Sequence, residues 1–156
     1  MSALAATDFR TAAATPADAA RLDYVLHLAD TALVLGQRNA EWCAQAPSLE
    51  EDIALANLSL DQIGQARLLY QHAASLVGGN ATEDTLAYFR DVPQFRNWVI
   101  AELPHHTSLA PLLVAERDFA FTIVRNYLVS SFMVPAWTAL LHSRDDQLAG
   151  IAERSV

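Results

Sequence analysis

Two stretches of helical periodicity, joined by a short proline-containing turn, constrain the fold of this chain more than any other feature. In the first, Leu22, Val25, Leu26, Ala29, Leu33 and Gly36 recur at the spacing of three and four residues that lines up one face of a helix. Thr15 stands before it as an N-cap, and Pro16 occupies the first turn, where a missing N–H costs nothing. This helix is expected to run to about Cys43 and to be broken by Ala46-Pro47. Ser48-Leu49-Glu50-Glu51 then has the form of a capping box, ahead of Ile53, Ala56, Leu60, Ile63, Arg67 and Tyr70, and Gly78-Gly79 is a helix stop. Helix, short turn, helix means an antiparallel hairpin.

The remainder reads as further pieces of a helical bundle. Between Asn80 and Glu102 the pattern shortens, with Thr82 and Asp91 as caps and Pro93 near a helix start, which predicts two short bridging helices. Asn80-Ala81-Thr82 matches a glycosylation sequon, but no secretory signal accompanies it. A third long helix is expected from about Leu112, carrying Phe119, Ile123, Tyr127, Phe132 and Leu140, with a kink at Pro135. Ser143-Arg144-Asp145-Asp146 caps a helix that begins at about Gln147 and is cut at Val156. The expected architecture is all-α: a flexible leader over residues 1–15, then one domain over 16–156, with three long helices, two bridging helices and the start of a fourth. Such an antiparallel bundle looks truncated before its fourth long helix is complete, which leaves an apolar seam to be covered by a partner subunit or a second copy, unless the chain is part of a longer gene product.

Composition narrows the function classes. The chain has 156 residues, 53% of them hydrophobic and only 5 glycines, which suits helices over sheets. A formal net charge of -8 argues against nucleic acid and against anionic membrane surfaces, both of which need a basic patch. All 10 basic residues are Arg, so no Schiff base and no lysine clamp for anions can form. The single cysteine, Cys43, follows Trp42 in an apolar setting and is expected to be a buried structural thiol in a reducing, cytoplasmic compartment. No apolar run is expected to reach the roughly 18 residues of a membrane span, because Arg, Asp or Pro interrupts the longest ones.

The candidate chemistry is sparse. Gln62 and Gln65 lie three residues apart, the spacing at which a bundle di-iron site carries a Glu and a His on one inner face. A carboxamide brings no net charge to offset two irons, so this pair is read as a metal position that has lost its metal. Its amides are expected to bond Asn57, Asp61 or a facing helix, Asp61 and Gln65 being also one turn apart; the competing reading is a solvated face. His105-His106 are adjacent and diverge in direction, so a solvated loop is favoured over a metal site. Glu41, Glu102, Glu116 and Asp118 are the other acids that could face inward, and none has a His three residues on. Trp42, Tyr70, Trp98, Tyr127 and Trp137 are assigned to core or interface. No Ser-His-Asp order and no phosphate-binding loop is present, and no catalytic residue is assigned.

Several blocks together resemble the C-type subunits of phenylacetyl-CoA epoxidases: Leu33-Val34-Leu35-Gly36-Gln37-Arg38, Glu41-Trp42-Cys43, Ala46-Pro47, Leu55-Ala56-Asn57, Leu60-Asp61, Gly64-Gln65-Ala66-Arg67, Glu83-Asp84-Thr85-Leu86-Ala87, Phe119-Ala120, Thr122-Ile123, Arg125 and Ser143-Arg144-Asp145. The resemblance implies a ferritin-like fold and a structural, non-catalytic role. It implies a partner, the A-type subunit, that holds the di-iron centre and epoxidises the aromatic ring of the CoA thioester with dioxygen and reductase electrons. It also implies a heterodimer, with a homodimer as an alternative and phenylacetyl-CoA at the interface between the two proteins. The A-type pattern Asp-Glu-x-Gly-His falls on Asp61, Gln62, Ile63, Gly64 and Gln65, and a first-helix Glu falls near Ala32, so Ala32, Gln62 and Gln65 are the vestigial ligand positions. No cofactor is expected in this chain. Residues 104–118 look longer than the link such subunits carry, and the family continues past Val156. The rival hypothesis is a free-standing di-iron oxidase, or an iron-handling bundle, built on acids such as Glu41 and Glu102.

Overall fold

The computed structural model describes residues 15–105 and 118–156, and every regular element among them is helical. The long pair comprises α1 (Pro16–Ala40) and α2 (Leu49–Val77). Both begin as their sequence signals require. The Thr15 side chain accepts from the Asp18 N–H and Pro16 fills the first turn, while the Ser48 side chain accepts from the Glu51 N–H. Gly78 ends α2 at φ 73°, a left-handed conformation that a Cβ would disfavour. α1 stops three residues short of the expected Cys43, because the chain turns after Ala40 and passes through Ala44 at φ 61°.

The hairpin closes around Leu22, Val25, Leu26 and Ala29 of α1 and Ala66, Leu69, Tyr70 and Ala73 of α2, all buried. Burying each large apolar side chain contributes on the order of 1.5–3 kcal/mol. The helices approach most closely at Gly36. A Cβ there would stand 3.0 Å from Ile63 and 3.2 Å from the Ser59 carbonyl, and the Ser59 hydroxyl donates to the Gly36 carbonyl at 2.7 Å.

The expected bridging helices are three short pieces: α3 (Glu83–Tyr88), a 3-10 turn (Val92–Gln94) and α4 (Val99–Glu102). Thr82 and Thr85 cap α3 reciprocally, and Leu86 on its inner side is fully buried. A buried carboxylate fastens this connector. Asp30 of α1 accepts from the Tyr70 hydroxyl of α2 at 2.6 Å, from the Arg96 backbone N–H at 2.7 Å and from both terminal nitrogens of Arg90. Arg90 also donates to the Leu86 and Gln94 carbonyls and lies 4.2 Å from the Phe95 ring centroid.

α5 (Phe119–Leu140) and α6 (Asp146–Ser155) complete the described chain. Residues 112–117, where the third long helix is expected to begin, lie outside the described residues, as does the leader up to residue 14. Asp145 caps α6 by accepting from the Gln147 and Leu148 N–H groups, and Leu148, Ile151 and Ala152 pack on the hairpin core. The His72 ring binds α6 from α2, with Nε2 2.8 Å from Asp145 and Nδ1 2.6 Å from Gln147. Backbone bonds and the His72 contact hold the carboxyl of Asp145 below the usual carboxylate range, against the opposing effect of burial.

α5 turns its polar residues inward. Ile123, Tyr127 and Phe132, part of the apolar periodicity expected of this helix, are exposed, and the inward face carries Thr122, Arg125, Asn126, Val129 and Trp137. The helix is apolar nearly all round, so periodicity alone cannot choose a side. The choice falls to the few polar groups, which find partners at the C-terminal end of α1 and in residues 103–105. By length and composition α5 is also the one helix among the described residues that could cross a membrane, contrary to the expectation that no run qualifies.

Replacing Asp30 by Ala is expected to cost on the order of 3–5 kcal/mol, since it strands the buried Arg90 charge. Replacing Arg67, whose pair with Glu83 lies at the surface, costs at most about 1 kcal/mol. Urea unfolding of the two variants measures the contrast.

Candidate functional site

Helical spacing brings Ala32, Gln62 and Gln65 together. Leu28, Thr31, Ala32 and Leu35 form one face of α1, and Leu58, Asp61, Gln62 and Gln65 form the facing stripe of α2. With Val129, Met133 and Trp137 of α5 they line a cavity of about 190 Å³. Gln62 is not bonded to Asn57 or Asp61. Its Oε1 accepts from Asn39 Nδ2 at 2.8 Å, and the Asn39 amide also exchanges a reciprocal pair of 2.9 Å hydrogen bonds with Asn126 of α5. Gln65 and Asp61 make no hydrogen bond among the described residues, so the suggested Asp61–Gln65 bond is not formed. Gln62 and Gln65 are half-buried, Asp61 is exposed at the rim, and the pair faces the cavity rather than a solvated surface.

A second polar centre lies beyond Asn39. His105, expected in a solvated loop, is only 4% exposed. Trp42 Nε1–H is shared between His105 Nδ1 at 3.1 Å and Thr122 Oγ1 at 3.0 Å, and Thr122 Oγ1 lies 2.9 Å from the same Nδ1. An Arg125 terminal nitrogen stands 3.4 Å from it and another donates to the Leu103 carbonyl at 2.8 Å. Donors converging on Nδ1 make it the acceptor, which puts the proton of the neutral ring on Nε2, 3.4 Å from Glu41 Oε2. That separation is an ion-pair distance, but its geometry is not that of a hydrogen bond, so Nε2 joins Arg125 Nε as a buried nitrogen without a hydrogen-bond partner among the described residues. His106 lies outside the described residues. Adjacency argued for divergence of the two rings, and what it could not reveal was the Trp42 N–H waiting across 63 residues of chain.

Cys43 is exposed rather than buried. Its neighbour Trp42 takes the inward position beyond the end of α1, packing edge-on against His105 and Phe119, so the thiol is turned outward. Of the other acids, Glu41 is held by Arg38 at 3.1 Å, and Glu102 accepts from Asn97 at 2.8 Å. Asp118 caps α5 by accepting from the Phe121 N–H, and Glu116 lies outside the described residues. Among the described residues no group of three or more His, Cys, Asp and Glu is placed to hold a metal ion. A di-iron centre takes several carboxylates and usually two imidazoles. The cavity offers one carboxylate and two amides, a donor set that does not fit two irons.

An all-helical bundle with polar residues sealed between its long helices is the architecture of a ferritin-like helical protein. The chain belongs to the family described as phenylacetic acid catabolic protein, whose model matches residues 1–156. It is 44% identical over 133 residues to the C-type subunit of the 1,2-phenylacetyl-CoA epoxidase of Escherichia coli (strain K12), a match that covers 85% of this chain and 49% of that relative. The chain therefore spans about half the length of the curated relative it matches.

His105 gives the site a pH signature. Burial, then the Arg125 charge, pushes its ring below the ordinary value of 6.5, an effect that the Glu41 carboxylate opposes. Because the unfolded chain protonates first, this group leaves stability undiminished above pH 6.5 and lowers it as the pH falls below that value toward the depressed folded-state value. Thermal unfolding between about pH 7.5 and 5.5 is expected to show a falling Tm, with a shallower fall for His105→Gln.

Proposed function

We propose that this chain is a structural, non-catalytic part of a multicomponent oxygenase that epoxidises the ring of phenylacetyl-CoA in cytoplasmic phenylacetate degradation, and that it pairs with and stabilises the di-iron subunit of that complex. The observation that carries the reading is the outward face of α5. Tyr127 is 69% exposed, Phe132 57% and Leu128 51%, and the only charged residue in the 22-residue helix, Arg125, is buried on the other side. A chain of net charge -8 that keeps one long helix free of surface charge has a face fitted for burial against apolar helices. The inward face argues for a protein partner over a bilayer, since it is already committed to Asn39, Trp42 and the Leu103 carbonyl.

The amides at Gln62 and Gln65, with Ala32 opposite, support the assignment of the chemistry to the partner. Gln62 joins the Asn39–Asn126 amide network in place of holding a metal. The alternative that Glu41 and Glu102 build an iron site of their own finds no support, since Arg38 and Asn97 engage them.

Co-expression with the di-iron protein of a phenylacetyl-CoA epoxidase is expected to give a complex that survives purification at micromolar concentration. Leu128→Glu or Phe132→Glu should abolish it while leaving the helical circular dichroism unchanged. Failure of the unaltered chain to form a complex counts against the proposal. Anaerobic loading with ferrous iron is expected to leave the isolated chain near zero metal content, whereas about two irons per chain would make it a metalloenzyme in its own right.

A further inference from the structure

We infer that the cavity between α1, α2 and α5 is a binding site for a small uncharged aryl compound carrying a single hydrogen-bonding substituent. The inference stands on the cavity alone and is independent of the proposed structural role. Size sets the first limit. At about 190 Å³ the space exceeds the roughly 150 Å³ at which an apolar protein cavity already admits benzene, and it is too small for a nucleotide-bearing thioester.

The walls set the second limit. Leu28 and Leu35 on one side, and Val129, Met133 and the Trp137 indole on the other, offer apolar walls with a polarisable sulfur; Ser130 also lines the space, and the lining hydroxyls of Thr31 and Ser155 already donate to the His27 and Ile151 carbonyls. Ala32 keeps the slot open: any longer side chain at this position of α1 would occupy the space. At the α2 side the slot becomes polar. One acceptor of Gln62 is engaged by Asn39, but its amide N–H groups and the whole Gln65 amide are free to meet a ligand, with Asp61 at the rim. These groups donate and accept, so they suit an amide, hydroxyl or phenol. No Arg or His lines the cavity, and Asp61 opposes negative charge, so carboxylates and phosphates are disfavoured.

The test is binding of phenylacetamide to the purified chain, followed by NMR chemical-shift changes at Ala32, Met133 and Trp137, with phenylacetate as its anionic counterpart. Saturable shifts at those residues are expected, with phenylacetate at least about tenfold weaker. Ala32→Leu should abolish binding by filling the slot. Gln65→Met, which preserves volume and removes the amide, should erase the preference for phenylacetamide over toluene, and it keeps the test decisive if Ala32→Leu does not fold. Absence of saturable binding overturns the inference, as do equal affinities in wild type and Gln65→Met, or shifts confined to Tyr127 and Phe132 on the outer face of α5.

Discussion

The Asp30 carboxylate is the point on which the arrangement of this chain depends. It sits fully buried in α1 and collects donors from α2, from Arg90 just after α3 and from the backbone at Arg96. The helical hairpin could form on apolar contacts alone, but those contacts do not tell the connector where to run. A buried charge does, because leaving it unpaired costs far more than any local preference of a short helix. Burial and the adjacent carboxylate also push the Tyr70 hydroxyl well above its ordinary value, which keeps it a proton donor to Asp30 throughout the accessible pH range. The wall built by residues 83–102 is thus placed by electrostatics, and the apolar contacts of Leu86 and Trp98 are made once it is there.

A second constraint of the same kind positions α5. The helix meets the rest of the structure through Asn126 on Asn39, Thr122 on Trp42 and Arg125 on the Leu103 carbonyl, with a smaller apolar patch of Leu35, Ala101 and Val129 alongside. Hydrogen bonds are directional, so they fix rotation about the helix axis more sharply than apolar contact does. The cavity lies immediately beyond this polar cluster, and its shape follows from where the cluster holds α5.

What the sequence made legible follows the reach of each signal. Caps are local: Thr15, Ser48, Thr82 and Asp145 mark their helices because the donor they satisfy lies two or three residues away. Amphipathic spacing is likewise readable where one face is polar, as on α6. The shared face of Gln62 and Gln65 was readable from their three-residue spacing, whereas Ala32 opposite them was implied by the family resemblance alone. Two readings failed, and the facing of α5 could not be read at all, for a shared reason. The burial of His105, the exposure of Cys43 and the facing of α5 are decided by partners 17 to 87 residues distant, and no local pattern encodes those.

The bare outer face of α5 also bears on how a cell must supply this protein. A chain that displays Tyr127, Leu128 and Phe132 when unaccompanied presents what chaperones and proteases recognise in unfolded polypeptides. Under the proposed pairing, an excess copy would therefore be cleared or would aggregate, while an accompanied copy is shielded. Its abundance would then follow the supply of whatever covers that helix: surveillance of unassembled copies, written into one helix surface.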